Sequence, residues 1–297
     1  MFTHQFAVAQ KPARAVILGA RGFISVALAQ ALEKGQIACR PVSSREADLL
    51  DSSAVEKLSV ILKPDDVMIV TAALTPDKGR DVTTLMKNLR MAEQLCEALA
   101  RSRCAHVIYV SSDAVYDARS SLINEQSSCE PLDLYSLMHL ARERMLAHAC
   151  QAAKIPFAVV RPCAVYGAGD THNSYGPNRF IRTALAEGNI RLFGEGEEQR
   201  DHVYVRDVAE ILKLCVVHRS TGVLNAASGK AVSFGDLARM IISVAGRDVK
   251  LELQPRGGPI THRHFDITTL VRAFPGFQST PLETGVAASL AEMSAVV

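Results

Sequence analysis

The stretch that decides the fold is Ala13-Arg14-Ala15-Val16-Ile17-Leu18-Gly19-Ala20-Arg21-Gly22-Phe23-Ile24-Ser25. A short apolar run follows Lys11-Pro12 and stops at Gly19. From Phe23 to Leu32 the apolar residues recur at helical spacing, and Gly35 ends the run. This reads as a buried strand, a glycine turn and a helix. In that context Gly19 can make the tight turn and Gly22 lets the backbone approach a pyrophosphate. The helix start supplies free N–H groups and a favourable dipole, with Phe23 and Ile24 as its first residues. Ser25 stands where a third glycine is usual, which weakens the motif while still permitting close helix-to-strand packing. An ordinary glycine turn is the competing reading.

Along the rest of the chain, strand and helix signals alternate. Ile37 to Val42 reads as a second strand, Ser52 to Leu62 as a helix and Asp66 to Thr71 as the next strand. A long helix from about Leu85 to Ala100 leads into a strand at His106 to Val110, a helix at Leu134 to Ala152 and a strand at Phe157 to Val160. Strands separated by helices favour right-handed βαβ units, so the expected fold is α/β, a Rossmann-type doubly wound parallel sheet. From Tyr166 to Arg200 the character changes, with Gly167, Gly169, Gly176, Pro177, Gly188, Gly194 and Gly196 punctuating short segments. That reads as a loop-rich stretch beyond the sheet, where ligand-contacting residues tend to lie. Helical signals return at Asp207 to Val217 and Phe234 to Ala245, with a short strand at Val249 to Leu253. The expected division is a dinucleotide-binding domain over 1–165 and a smaller, mainly substrate-binding C-terminal lobe over 166–297, some of whose segments return to the large domain.

A chain of 297 residues, 48% hydrophobic, can bury a core of its own. The formal charge of +2, with signs mixed throughout, indicates no particular attraction to nucleic acid or to a membrane surface. The cysteines at 39, 96, 104, 129, 150, 163 and 215 are scattered, odd in number and without a CxxC pair, so free thiols in a reducing compartment are expected and no metal site is. Met1 to Ala13 lacks the continuous apolar run of a signal peptide, and no segment approaches the roughly 20 apolar residues of a membrane span. A cytoplasmic location is the expectation.

Tyr135-Ser136-Leu137-Met138-His139 sets a tyrosine and a histidine one helical turn apart, on one face of a helix. With Ser111-Ser112-Asp113 and the glycine loop, it suggests a redox site built around a dinucleotide. An NAD site usually carries an acidic residue about 20 residues after the loop. Here that region is Cys39-Arg40-Pro41-Val42-Ser43-Ser44-Arg45, without a carboxylate before Glu46. Arg45 and Arg21 are instead read as facing a 2′-phosphate, with Ser43 or Ser44 adding hydrogen bonds, so NADP(H) is expected ahead of the alternative, NAD(H). Both arginines being merely solvated is the competing reading.

Over nearly its whole length the chain resembles the extended short-chain dehydrogenases/reductases, specifically the nucleotide-sugar epimerases, dehydratases and reductases. Beyond the glycine loop, Ala72-Ala73 is similar to the small pair after the family's fourth strand, and Asn88 to its asparagine in the next helix. Tyr109-Val110-Ser111-Ser112-Asp113-Ala114-Val115-Tyr116 resembles the strand and turn that supply the catalytic serine or threonine, with Ser112 in that place. Asp113 resembles the acid of the sugar-nucleotide dehydratases, although no glutamate follows it. Val160-Arg161-Pro162 and Val165-Tyr166-Gly167 resemble the segment at the nicotinamide end. The run from Phe180 through Gly194-Glu195-Gly196 to Arg200-Asp201, then Val205-Arg206-Asp207, is similar to the substrate-lobe signature. Locally, Arg21 and Ser44 to Asp51 look like GDP-fucose synthase, an NADPH-dependent enzyme, which places Asp48 and Leu49 beside the adenine.

The resemblance implies that Tyr135 exchanges a proton with a sugar hydroxyl or carbonyl while hydride passes to or from nicotinamide C4. A phenol with a pKa of about 10 needs a nearby cation for such chemistry. Ser112 would position the substrate oxygen, and Asp113 would be a second acid or an orienting group. The family lysine is replaced by His139, which could still hydrogen-bond the nicotinamide ribose. Arg200 resembles the arginine that meets the nucleotide diphosphate, or else forms a surface ion pair with Glu197 or Glu198; Arg179 and Phe180 lie where the nucleotide is gripped. A cofactor-binding protein with weak or no catalysis, or a reductase of a small carbonyl compound, are the alternatives. The family commonly pairs as homodimers through two long helices, here Leu85 to Ala100 and Leu134 to Ala152.

Overall fold

The computed structural model describes residues 1–173 and 175–295. Its first half contains strands β1 (Thr3–His4), β2 (Arg14–Leu18), β3 (Cys39–Val42), β4 (Asp66–Val70), β5 (His106–Val110), β6 (Leu122–Ile123) and β7 (Phe157–Pro162). Between them run helices α1 (Phe23–Lys34), α2 (Ala54–Ile61), α3 (Val82–Arg101) and α4 (Leu134–Ala153). The second half adds β8 (Ala164–Tyr166), β9 (Asn189–Phe193), β10 (Gln199–Tyr204), β11 (Ser220–Ala226), β12 (Ala231–Ser233), β13 (Lys250–Gln254) and β14 (His264–Phe265). Its helices are α5 (Pro177–Glu187), α6 (Val205–His218), α7 (Phe234–Ala245), α8 (Thr268–Ala273) and α9 (Leu282–Ser294).

The main sheet has seven strands in the order β1-β11-β7-β5-β4-β2-β3. Every pairing is parallel except that of β1, a two-residue antiparallel edge on β11. The chain turns outward to β3 on one side of β2 and to β4 on the other, so the strand order reverses between β2 and β4. A crevice therefore opens beyond their carboxyl ends, the position that doubly wound sheets use for ligands. One face of the sheet is covered by α1 and α6 through Leu28, Leu32, Val208 and Leu212. The other is covered by α2, α3 and α4 through Leu58, Leu95, Leu99 and Leu146. Buried on both faces, β4 and β5 are apolar after their first residues, Asp66 and His106.

Between Tyr166 and Arg200 the structure corrects the loop-rich reading. α5 and β9 lie there, and the glycines bound them: Gly176 is the N-cap of α5 and Gly188, with φ +62°, its C-cap. These elements, with α7 and α9, form a separate core around Phe180, Ile181, Leu192, Leu237, Ile241 and Val286. β11 and α6, although late in the chain, belong to the main sheet and its cover. Among the described residues no helix is long and apolar enough to cross a membrane, and the cysteines are free thiols.

Candidate active site

At the end of β2, Gly19 takes φ +105°, and a Cβ there would lie 2.8 Å from Thr71 Oγ1 and 2.9 Å from the Ala72 nitrogen. Only glycine fits so close to the end of β4. Ser25 is buried and its Oγ lies 2.6 Å from Thr71 Oγ1, which in turn donates to the Leu18 carbonyl at 2.7 Å. The serine in the third small position thus knits helix to sheet by a hydrogen bond. Gly22 caps α1 without a side-chain bond, so the first N–H groups of that helix face the crevice unpaired by a cap. A cleft of about 310 Å³ lies in front of them, lined by Arg21, Ser43, Asp48, Leu49, Ala72 and Ala73 among others. Thr71, just past the end of β4, and Lys78 also line it; Lys78 had no signal in the sequence because it sits in a turn with no periodicity.

Asn88 is buried and pins the segment after β4: its Oδ1 accepts from the Leu74 N–H at 2.9 Å and its Nδ2 donates to the Leu74 carbonyl at 3.0 Å. Beyond this segment a second recess of about 330 Å³ is lined by Leu74, Arg80, Asn88, Tyr135 and His172 among others. Val110 and Pro162 are buried at the ends of β5 and β7, and Val165 packs half-buried against the core. Phe23 and Ile24 are half-buried in the first turn of α1.

α4 brings the tyrosine to this edge. Asp133 caps it in a capping box with Ser136, the Ser136 N–H donating to Asp133 Oδ1 at 2.8 Å. Tyr135 therefore lies in the first turn, where the helix dipole favours negative charge. Ser112 follows β5 as the N-cap of a short 3-10 turn, its Oγ accepting from the Ala114 N–H at 3.2 Å. Burial, and secondly the Asp113 charge, push the Tyr135 phenol up to about 12, while the Ser112 hydroxyl opposes the rise. Asp113 itself is raised by burial, against the pull of Arg263 and Arg200. Arg263 Nε lies 3.0 Å from Asp113 Oδ2, and the same guanidinium donates to the Asp113 carbonyl. That partner, 150 residues away in the chain, had no signal in the sequence.

Behind the edge, Arg161 grips Glu143 with two bonds of 2.9 and 2.6 Å, both residues being almost wholly buried. Ser111 Oγ donates to the same carboxylate at 2.5 Å, and the Arg161 guanidinium lies over the Tyr116 ring. This network ties α4 to β5 and β7 and so fixes where Tyr135 stands.

His139 does stand one turn below Tyr135, their rings edge to face at 4.7 Å. It is 3% exposed. Burial, helped by the Arg142 charge, holds it down to about 3, so near neutrality it is an uncharged imidazole. Its Nδ1 is 2.8 Å from the Tyr109 hydroxyl, and its Nε2 is buried without a protein partner among the described residues. The imidazole cannot give the permanent charge of a lysine.

On the substrate side, Arg200 is half-buried and donates to the carbonyls of Gln199 and Thr261 at 2.9 and 2.6 Å and to Thr261 Oγ1 at 2.8 Å. Glu197 and Glu198 are engaged by Arg256 instead. Arg179 is exposed on α5. Phe180, 1% exposed, is inside the lobe core and packs against Tyr175 and Phe234. The structure therefore brings Ser112, Asp113, Tyr135 and His139 together and leaves Phe180 outside the crevice.

A glycine cradle at the switch point of a doubly wound sheet, with a Ser112–Tyr135 pair beside it, defines the dinucleotide-binding class of short-chain proteins. Residues 15–227 match the model of the NAD dependent epimerase/dehydratase family, and the chain belongs to that family. Among solved structures it is similar to a UDP-N-acetylglucosamine 4-epimerase from Methanobrevibacter ruminantium, at 22% identity over 97% of this chain and 100% of that one, with a TM-score of 0.84. It is also similar to a UDP-glucuronic acid 4-epimerase from Bacillus cereus in complex with UDP-glucuronic acid and NAD, at 21% identity over 96% and 100%, TM-score 0.82. A Thermus thermophilus UDP-glucose 4-epimerase in complex with NAD matches at 19% identity over 96% and 100%, TM-score 0.83. At these identities the likeness shows the fold.

The expectation of NADP(H) is corrected. Similar structures, the UDP-glucuronic acid 4-epimerase and the UDP-glucose 4-epimerase among them, hold NAD. The reason is visible at the end of β3: Asp48 lines the cleft, whereas Arg45 is exposed and does not line it. A carboxylate in that wall disfavours a 2′-phosphate.

Proposed function

We propose that this chain is an NAD(H)-dependent epimerase of a nucleotide-linked sugar. The observation that carries the reading is the placing of Ser112 and Tyr135 at the carboxyl edge of the sheet, beside a cradle that only Gly19 permits. The cradle, the free N–H groups of α1 and the unpartnered His139 Nε2 fit the pyrophosphate and nicotinamide ends of NAD. When bound, NAD supplies acceptance and return of hydride at the sugar carbon. The chain's residues manage the proton. Tyr135 takes it from the sugar hydroxyl and returns it, Ser112 donates a hydrogen bond to that oxygen, and the first turn of α4 stabilises the phenolate. Asp113, held by Arg263, orients these groups. Ala114 stands where a dehydratase would carry a second acid, which favours epimerisation. Arg200 meets the substrate diphosphate, and residues 1–165 and 166–297 divide cofactor and substrate binding between them.

A second reading, a cofactor-binding protein with little catalysis, is favoured by the neutral state of His139. Calorimetric titration with NAD+, alone and then with UDP-, GDP-, CDP- and dTDP-sugars, tests the proposal. Binding of NAD+ strengthened by one nucleotide-sugar supports the enzyme; absence of NAD+ binding removes both readings.

A further inference from the structure

The proton-carrying phenol needs a cation, and the residue one turn below it is neutral. The nearest fixed charge on the same helix is Arg142. It is 0% exposed, among the largest fully buried side chains of the molecule. Its guanidinium donates to the Ala72 carbonyl at 2.7 Å and to Asn88 Oδ1 at 3.4 Å, and it lies over the Tyr109 ring at 5.2 Å from the centroid. Among the described residues no carboxylate lies within salt-bridge distance of it, whereas the other deeply buried arginine, Arg161, grips Glu143. Arg142 also reaches the Met138 sulfur at 3.8 Å, and its Nε has no partner among the described residues; a buried cation met by such neutral groups is costly for structure alone. Tyr109 joins it to the site, because the ring under the guanidinium is the one whose hydroxyl bonds His139.

We infer that Arg142 is a positioning residue that supplies, from two turns below Tyr135, the positive charge that a lysine at position 139 would otherwise provide, and that Arg142 and a lysine at 139 exclude each other. The inference rests on the reading of Tyr135 as the proton carrier. Residues 135, 139 and 142 share one face of α4, and positions three apart are neighbours. A lysine at 139 would bury a second cation against the first. The other titratable groups facing this space are Asp113 and Tyr109 from β5 and the turn after it, Cys96 from α3, and Asp133 and Glu143 from α4. Seven residues of helix rise roughly 10 Å, and a unit charge at that distance in an effective dielectric of about 20 moves a phenol by about one pH unit.

The test is a cycle of full-length His139→Lys, Arg142→Met and the double variant, with Arg142→Lys as the conservative control. Urea unfolding is expected to show strong coupling. His139→Lys alone is destabilised, and the double variant is more stable than the single effects sum to, by roughly tenfold in the folding constant. In the pH profile of kcat/KM the acid limb is expected to rise by about one unit in Arg142→Met, and to stay in place in Arg142→Lys and in the double variant. Additive stabilities, or an acid limb that Arg142→Met leaves unmoved, would overturn the inference. If the wild type turns over no nucleotide-sugar, the proposed function falls, and the unfolding cycle still decides whether the two cations exclude each other.

Discussion

Acid should unfold this protein earlier than its carboxylates alone would dictate, because three histidines are buried as neutral rings. His106, His139 and His202 are 0%, 3% and 4% exposed, and burial holds them down to about 4, about 3 and about 3. In the unfolded chain each titrates at about 6.5. Between the two values the unfolded state binds protons that the folded state refuses, so the stability present above about pH 6.5 is lost as the pH falls toward the folded values. At about pH 5 an unfolded histidine is favoured by a factor of about 30, or about 2 kcal/mol, and three sum to about 6 kcal/mol. That is a large part of the roughly 5–15 kcal/mol that holds a typical domain together. Asp113 and Asp207, whose carboxyls burial raises, bind protons more readily when folded and soften the loss. Urea titrations followed by circular dichroism at about pH 8 and about pH 5 measure the difference, and His106→Gln should reduce it by about a third. Equal stabilities at the two pH values, or a difference that no histidine substitution changes, would show that the buried histidines do not govern acid unfolding.

Other consequences are as direct. Gly19→Ala puts a methyl group 2.8 Å from Thr71 Oγ1 on a backbone at φ +105°, so calorimetry should show NAD+ affinity reduced by roughly tenfold or more, and an unchanged Kd would contradict the cradle. Tyr135→Phe should lower kcat by about 10²–10⁴ while NAD+ still binds; wild-type turnover would remove the phenol from the proton path. Glu143→Leu leaves Arg161 buried and uncompensated, at a cost of about 3–5 kcal/mol by urea unfolding, and a loss within experimental error would show the network to be dispensable. Val82, Met86 and Leu137 are 62%, 56% and 43% exposed on α3 and α4. If those helices pair two copies, Met86→Lys with Leu137→Lys should convert a dimer to a monomer in light scattering, and an unchanged mass would place any interface elsewhere.

The β2–Gly19–α1 unit could be read from the chain because its signals are local: an apolar run, a glycine that must be a glycine, and a helical period. Tyr135 and His139 were equally legible, since four residues of helix fix their relation. What the sequence hid depends on distant pairing. β11 sits inside the main sheet, yet Ser220-Thr221-Gly222 dilutes its apolar run, and only β7 beside it makes the strand evident. The glycines between 166 and 200 looked like breaks throughout, whereas Gly176 and Gly188 mark the two ends of one helix. Arg142, Glu143 and Arg263 carried no signal in the sequence, because burial leaves no mark on residue type. The cofactor expectation went astray for a related reason. Arg45 and Asp48 are both near the end of β3, and only the course of the backbone decides which of them lines the cleft.

Epimerisation is tested by incubating the NAD+-loaded protein with UDP-glucose, UDP-N-acetylglucosamine, UDP-glucuronic acid and their GDP- and dTDP-linked counterparts, and following each sugar by proton NMR. An epimerase relaxes one of them to a mixture with its epimer, with no stoichiometric change in NAD(H). Conversion of none of them by protein that binds NAD+, or conversion only with stoichiometric consumption of NADH, would contradict epimerisation.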